Sequence, residues 1–291
     1  MNLHYDLHTH STASDGTLTP QELVTRAHEQ GVDVLALTDH DTTEGLAEAA
    51  QAAAELGLQF VNGVEISVTW NGQLVHIVGL QVDPAHAPLR EGLAALRARR
   101  DERAEEVARR LEKKCGIAGA LAGARTHATG SVISRAHFAR FLVEQGHGRD
   151  VREVFDRYLT PGKPGYVAME WAALEDAVSW IRGAGGMAVI AHPARYKLTS
   201  TKLRRLLGDF KGCGGEGIEV VSGSHSRDEC HAMLGHALRF GLLASCGSDY
   251  HGPVTPWVEL GRLPALPQGC VPVWERWAAW NGAGAPQALA R

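Results

Sequence analysis

Short apolar, β-branched runs alternate along this chain with longer stretches whose apolar residues recur at helical spacing. The first unit pairs a strand over residues 4–10 with a helix over 20–30, capped by Thr19, opened by Pro20 and stopped by Gly31. Residues 32–38 predict a second strand, and 44–56 an Ala-rich helix ending at Gly57. Two further strands, 60–68 and 74–80, flank Trp70-Asn71-Gly72, whose Asn-Gly pair suits a tight hairpin. The texture changes after Pro84 and Pro88, where 89–114 predicts a long charged helix, followed by shorter ones over 134–145 and 150–159. Strands over 187–191, 217–221 and 242–245 then alternate with helices over 174–184, 201–210 and 228–240. This rhythm predicts a parallel sheet or barrel from residues 1–88 and 165–285, interrupted by a helical insertion over 89–164. The Ala/Gly/Pro-rich stretch after Pro267 is expected to be loosely ordered.

Composition narrows the setting. A hydrophobic share of 44% over 291 residues is ample for one large α/β core. The net charge of −4 gives no global positive field for long DNA or RNA, so an anionic substrate must be attracted locally. The five cysteines are scattered without a C-x-x-C pair, which disfavours zinc ribbons and a disulfide framework. No basic-then-apolar leader precedes the first strand, and no apolar run reaches transmembrane length. A soluble protein of the reducing cytoplasm, with no membrane partner, is the expectation; composition leaves the oligomeric state open.

The polar residues that interrupt the apolar strands carry the chemistry. His8 and His10 flank Thr9, and alternate side chains of a strand share a face, so both imidazoles point the same way. Ser14-Asp15-Gly16 breaks that strand and sets Asp15 on the turn at its end. His40 stands at the exit of the second strand, in Thr38-Asp39-His40-Asp41. Glu65 and His76 each interrupt an apolar strand, while His192-Pro193 and Gly247-Ser248-Asp249-Tyr250-His251 end later ones. Any one of these reads most simply as a hydrogen-bonded core histidine or a solvated acid. Nine of them in or at the ends of six apolar strands strain that reading, because buried charge is costly unless paired or metal-bound. The strand ends of a barrel converge on one pocket. Mixed imidazole and carboxylate donors suit first-row divalent ions, and nine exceed what one ion holds. A hydrolytic centre of two or three metals is therefore expected.

These motifs resemble those of the polymerase-and-histidinol-phosphatase (PHP) phosphoesterases. The matching segments are Asp6-Leu7-His8-Thr9-His10-Ser11 with Asp15, Leu37-Thr38-Asp39-His40, Gly63-Val64-Glu65, His76, Ala191-His192-Pro193 and Gly247-Ser248-Asp249-Tyr250-His251. The resemblance implies an α/β fold, a distorted (β/α)7 barrel of the PHP type with a helical insertion. It also implies that His8, His10, Glu65 and Asp249 hold one metal, and that Asp15, His40 and His251 hold a second. Glu65 would bridge to a third ion held by His76 and His192. Manganese is the preferred ion, and the ligand set also accepts iron or zinc.

Within that family the insertion resembles that of nucleoside 3′,5′-bisphosphate phosphatases, some of which also trim short 5′-phosphorylated RNA. The implied reaction removes the 3′-phosphate, leaving a nucleoside 5′-phosphate and phosphate. Ser134 and Arg135 at a helix N-terminus suit a phosphate seat, with Lys163, Arg99 and Glu102 as further substrate contacts. Positions 99, 102 and 103 share one helix face. Asp15, His40 and His251 would touch substrate from the metal side. His225, beyond the strand over 217–221, is a candidate catalytic partner of the leaving group beside Asp15, His40, Glu65, Asp249 and His251. The rival readings are a histidinol-phosphate or other small-molecule phosphatase, an amidohydrolase on the same barrel, and a polymerase-associated nucleotide-binding module with structural metals.

Overall fold

The computed structural model describes residues 3–253 and 258–277. Within them, seven strands lie side by side in chain order: β1 (Tyr5–Asp6), β2 (Val34–Leu37), β3 (Gln59–Trp70), β4 (Gln73–Leu80), β5 (Met187–Ile190), β6 (Gly217–Ser222) and β7 (Leu243–Gly247). Neighbours pair in parallel except across β4, which runs antiparallel to both β3 and β5. That reversal comes from the hairpin at Asn71-Gly72. Its two residues take φ values of 47° and 72°, the positive pair a two-residue turn of this kind requires.

The sheet nearly closes on itself. The Leu7 N–H donates to the Cys246 carbonyl at 3.0 Å, and the His10 N–H to that of Tyr250 at 2.9 Å. Glycine at 247 permits this seam, since a Cβ there would lie 2.2 Å from the Cβ of His8. The regular first strand is consequently shorter than predicted. Beyond Asp6 the extended chain divides its hydrogen bonds, with Thr38 N–H reaching Thr9 on one side and Tyr250 bridging Thr9 on the other.

Helices α1 (Pro20–Glu29), α2 (Leu46–Leu56), α7 (Leu174–Gly183), α8 (Ser200–Gly212) and α9 (Arg227–Phe240) cover the outside of the sheet. Thr19 and Glu22 form a capping box at the start of α1, and Gly57 ends α2 in the left-handed conformation. Inside the barrel, Leu7, Val34, Ala36, Val61, Val78, Leu80, Met187 and Val189 pack into one cluster.

The insertion begins on α3 (Ala87–Cys115), continues through α4 (Ala120–Thr126) and α5 (Arg135–Glu144), and returns through α6 (Val151–Val154) and a π-helical turn at Phe155–Leu159. The predicted helix over 150–159 is thus split, and α4 was not expected. The long α3 serves two cores. Leu89, Leu93 and Leu96 pack on the barrel, whereas Ala104, Val107 and Leu111 join Phe138, Leu142, Val154 and Leu159 in a separate cluster.

The expectation of loose order after Pro267 is corrected for the residues described. The carbonyl of Val271 accepts from the Ala244 N–H, Val273 and Trp277 are buried, and the Trp274 ring stacks on Tyr5 at 3.8 Å. Apolar side chains cover the β1–β7 seam there, overriding the composition. The remainder of that stretch, and the boundary expected at 285, lie outside the described residues. No described helix is long and apolar enough to cross a membrane.

Candidate metal centre

Glu65 lies in the middle of the end of the barrel where most strands terminate. It is fully buried on β3, and imidazoles surround it from four segments. Its Oε1 lies 2.9 Å from His76 Nδ1, 3.0 Å from His192 Nε2 and 3.3 Å from His8 Nε2. Its Oε2 lies 2.8 Å from His40 Nδ1 and 3.4 Å from His10 Nε2. His76 reaches this end because β4 is reversed, so its first residues, rather than its last, meet the exits of the other strands. Asp249 Oδ1 sits 3.2 Å from His10 Nε2 and 3.6 Å from His251 Nδ1. Asp15 Oδ1 sits 3.3 Å from His251 Nε2 and 3.9 Å from His40 Nε2. Asp249 and His192 occupy positive φ at 57° and 29°, which side-chain-bearing residues rarely adopt and which clusters at functional sites.

The donor set fits divalent ions. Among the described residues three groups have ligand atoms within one coordination sphere: His8, His10, Glu65 and Asp249; His10, Asp15, His40 and His251; and His40, Glu65 and His76. His40 Nδ1, His76 Nδ1, Glu65 Oε2 and Asp15 Oδ1 are buried without a hydrogen-bond partner, although His40 Nδ1 lies 2.8 Å from Glu65 Oε2 and His76 Nδ1 2.9 Å from Glu65 Oε1. Neighbouring ligands on one ion have that spacing, since metal–ligand bonds of about 2.1 Å put adjacent donors about 3 Å apart. The first two groups contain the residue sets expected from the sequence. The third joins Glu65 and His76 to His40, while His192 Nε2 makes a hydrogen bond to Glu65 Oε1.

Electrostatics point the same way. Burial alone would raise the Glu65 pKa, but His76, His40 and His8 hold it well below the usual carboxylate range. Against the same burial, His40 and His251 hold Asp15 low, and Arg195 and His10 hold Asp249 low. The histidines divide. Burial pushes His10 down to about 3 and His76 to about 4, while Asp15 and Asp249 overcome burial at His251 and raise it to about 9. Opposing shifts packed this densely are a mark of functional sites.

Some of the supporting residues went unrecognised in the sequence. Glu219, buried on β6, accepts from His8 Nδ1 at 2.6 Å and from the His192 backbone N–H at 2.5 Å. It fixes the His8 tautomer, as carboxylates behind metal-bound histidines do. Its signal was the one that exposed Glu65, an acid inside an apolar strand. Asp39 accepts from the Ser11 and Ser14 hydroxyls at 2.6 Å each, and so anchors the loop that carries Asp15. Arg195 donates to Asp249 Oδ2.

The insertion closes over one side of this centre. A cavity of about 90 Å³ is lined by Asp15, His40 and His76 on the barrel side and by Ser134, Arg135, Arg100 and Arg103 on the insertion side. Ser134 caps α5, its hydroxyl accepting from the Ala136 N–H at 3.0 Å. Arg100 bonds Asp41 at 2.6 Å and Ser67 Oγ at 2.9 Å. Arg103 is buried, its Nε has no partner, and burial together with Arg135 and Arg100 lowers its pKa to about 9. Both Arg100 and Arg103 lie over the Trp171 ring.

The helix face proposed through positions 99, 102 and 103 is corrected. The inward face of α3 runs through Leu96, Arg100, Arg103 and Val107, leaving Arg99 and Glu102 exposed. The Arg99 guanidinium instead binds the carbonyls of Glu170 and Trp171. Lys163 is exposed and does not line the cavity. His225 stands behind Glu219 and His192; its Nδ1 meets the Val220 carbonyl at 3.3 Å, and its Nε2 is buried without a partner.

A distorted seven-stranded barrel with imidazole and carboxylate clusters at one end defines a metal-binding barrel of the hydrolase type. The chain belongs to the PHP domain family, whose match spans residues 6–171. A 3′,5′-nucleoside bisphosphate phosphatase of Chromobacterium violaceum is 55% identical over 92% of this chain and 94% of its own length. A 5′-3′ exoribonuclease of Haemophilus influenzae is 46% identical over 95% of this chain and all of its own. A solved Chromobacterium violaceum structure, described as an amidohydrolase with bound sulfate and no metal, superposes with a TM-score of 0.90 at 54% identity, covering 94% and 95% of the two chains.

Proposed function

We propose that this chain is a metal-dependent phosphomonoesterase that removes the 3′-phosphate of nucleoside 3′,5′-bisphosphates, leaving the nucleoside 5′-phosphate. The observation that carries this reading is a single cavity with metal ligands on one wall and Arg100, Arg103 and Arg135 on the other. A phosphate on the metal side is the one hydrolysed. A guanidinium cluster that includes a buried, unpaired Arg103 suits a second anion on the same molecule. Similarity to the Chromobacterium phosphatase supports the substrate, and similarity to the exoribonuclease supports short 5′-phosphorylated RNA as an extension of it.

His8, His10, Glu65 and Asp249 would hold one ion, Asp15, His40 and His251 a second, and His76 and His192 would join Glu65 at a third; manganese is the preferred metal. Such ions supply a water nucleophile near neutral pH and stabilise charge on the phosphoryl oxygens. Glu219 keeps His8 in one tautomer. Asp39 holds the Asp15 loop, and Arg135 with the capped end of α5 receives the distal phosphate. His225, behind Glu219 and His192 and outside the cavity lining, would act through those two residues rather than on the leaving group. Among the described residues, those before 89 and after 164 would form the catalytic barrel and 89–164 the covering insertion, in an enzyme of the cytoplasm.

The test is a substrate panel on manganese-loaded protein. Adenosine 3′,5′-bisphosphate is expected to exceed adenosine 3′-phosphate and histidinol phosphate in kcat/KM by at least tenfold, since a charge-assisted phosphate contact contributes about 1.5–3 kcal/mol. Equal rates on the mono- and bisphosphate would overturn the reading, and preference for histidinol phosphate would install its rival.

A further inference from the structure

We propose that the insertion completes the metal centre as well as the substrate seat, with Arg140 of α5 acting as a positioning residue for Asp15. This rests on the reading of Asp15, His40 and His251 as a metal site. The loop from Ser11 to Asp15 is gripped from two directions. On the barrel side, Asp39 takes the Ser11 N–H at 2.8 Å and the hydroxyls of Ser11 and Ser14. On the opposite side, the insertion takes the carbonyls of Thr12 and Asp15, while that of Ser11 accepts from the N–H groups of Ser14 and Gly16 within the loop. The Arg140 guanidinium donates to the Asp15 carbonyl, and the Thr129 hydroxyl donates to that of Thr12 at 3.2 Å. Between them Gly130 touches the loop so closely that a Cβ there would lie 2.4 Å from the Ala13 carbonyl oxygen.

Asp15 lacks the side-chain support that His8 and Asp249 have. His8 is aimed by Glu219, and Asp249 by Arg195, each outside the ligand set. Among the described residues the Asp15 carboxylate pairs only with its co-ligands, His251 at 3.3 Å and His40 at 3.9 Å. Its direction is therefore set by its main chain, and Arg140 holds that main chain at the residue itself. Arg140 follows Arg135 by five positions on the same helix, so one rigid element carries both the cavity-lining guanidinium and the grip on Asp15.

The test measures metal rather than turnover. Metal-stripped wild type, Arg140→Ala, Arg140→Lys, Gly130→Ala and Arg157→Ala are dialysed against graded manganese, and bound ions are counted by elemental analysis beside a thermal melt. Arg140→Ala and Gly130→Ala should each weaken one ion by about tenfold or more, the usual effect of removing a group that orients a ligand, and leave the others in place. Arg140→Lys should restore part of the loss, because an ammonium can donate to the same carbonyl. Arg157→Ala removes an exposed contact within the same insertion, to the His147 carbonyl, and should change nothing. An unaltered manganese titration in Arg140→Ala, or parallel loss of every ion with the melting temperature, would overturn the inference. Fewer than two ions on the wild type would instead overturn the metal reading on which it stands.

Discussion

The two walls of the cavity differ in charge and in how the fold builds them. The barrel wall sets three carboxylates, Asp15, Glu65 and Asp249, among six imidazoles brought together from separate segments by the closing of the sheet. The insertion wall carries guanidiniums from two helices, and of these only Arg100 has a carboxylate partner, Asp41. One wall is made to hold cations and the other to hold an anion. A group placed between them must present negative charge to both, which is what a molecule with two phosphates does.

That contrast can be broken most severely on the barrel wall. Glu65→Gln keeps the shape but removes the charge shared by the surrounding imidazoles. It should lower kcat by about 10³-fold or more, because metal stabilisation of the transition state amounts to several kcal/mol and each 1.4 kcal/mol is tenfold. Glu219→Gln, one step behind the ligands, should cost about 10–100-fold in metal affinity without abolishing turnover at saturating manganese. Activity of Glu65→Gln near that of the wild type would remove Glu65 from the metal centre.

A smaller effect sharpens the comparison through protons. In the metal-free protein Asp15 and Asp249 raise His251 to about 9 against the effect of burial, so it is protonated at pH 7, and Glu219 and Glu65 shift His8 in the same direction. Ligand histidines must be neutral, so loading the barrel wall should release at least one proton per chain at pH 7, and less as the pH approaches 9. Calorimetry in buffers of different ionisation enthalpy reads this directly. Proton-neutral binding would contradict the assignment of these two side chains.

The walls also differ in how far the sequence disclosed them. An acid or imidazole inside an apolar strand is conspicuous, and strand alternation fixes its side, so His8, His10, Glu65 and His76 could be read from the chain alone. Glu219 carried the same signal and was passed over because its partner, His8, lies 211 residues away. The insertion wall was harder. A charge run offers several helix faces, and tertiary packing of Leu96 and Val107, rather than the charges, turns Arg100 and Arg103 inward and leaves Glu102 exposed and Arg99 on the carbonyls of Glu170 and Trp171. The ordered segment at Val271–Trp277 was missed for a related reason, since its apolar residues find their partners on the distant β1–β7 seam.

The division of labour between the walls is tested most directly by crossing one variant with two substrates. In Arg135→Ala, kcat/KM for adenosine 3′,5′-bisphosphate should fall by about 10–150-fold, the equivalent of about 1.5–3 kcal/mol for a lost charge-assisted phosphate contact. The value for adenosine 3′-phosphate should change little, so the preference of the wild type collapses. Equal losses on both substrates, or a preference that survives the substitution, would contradict the account.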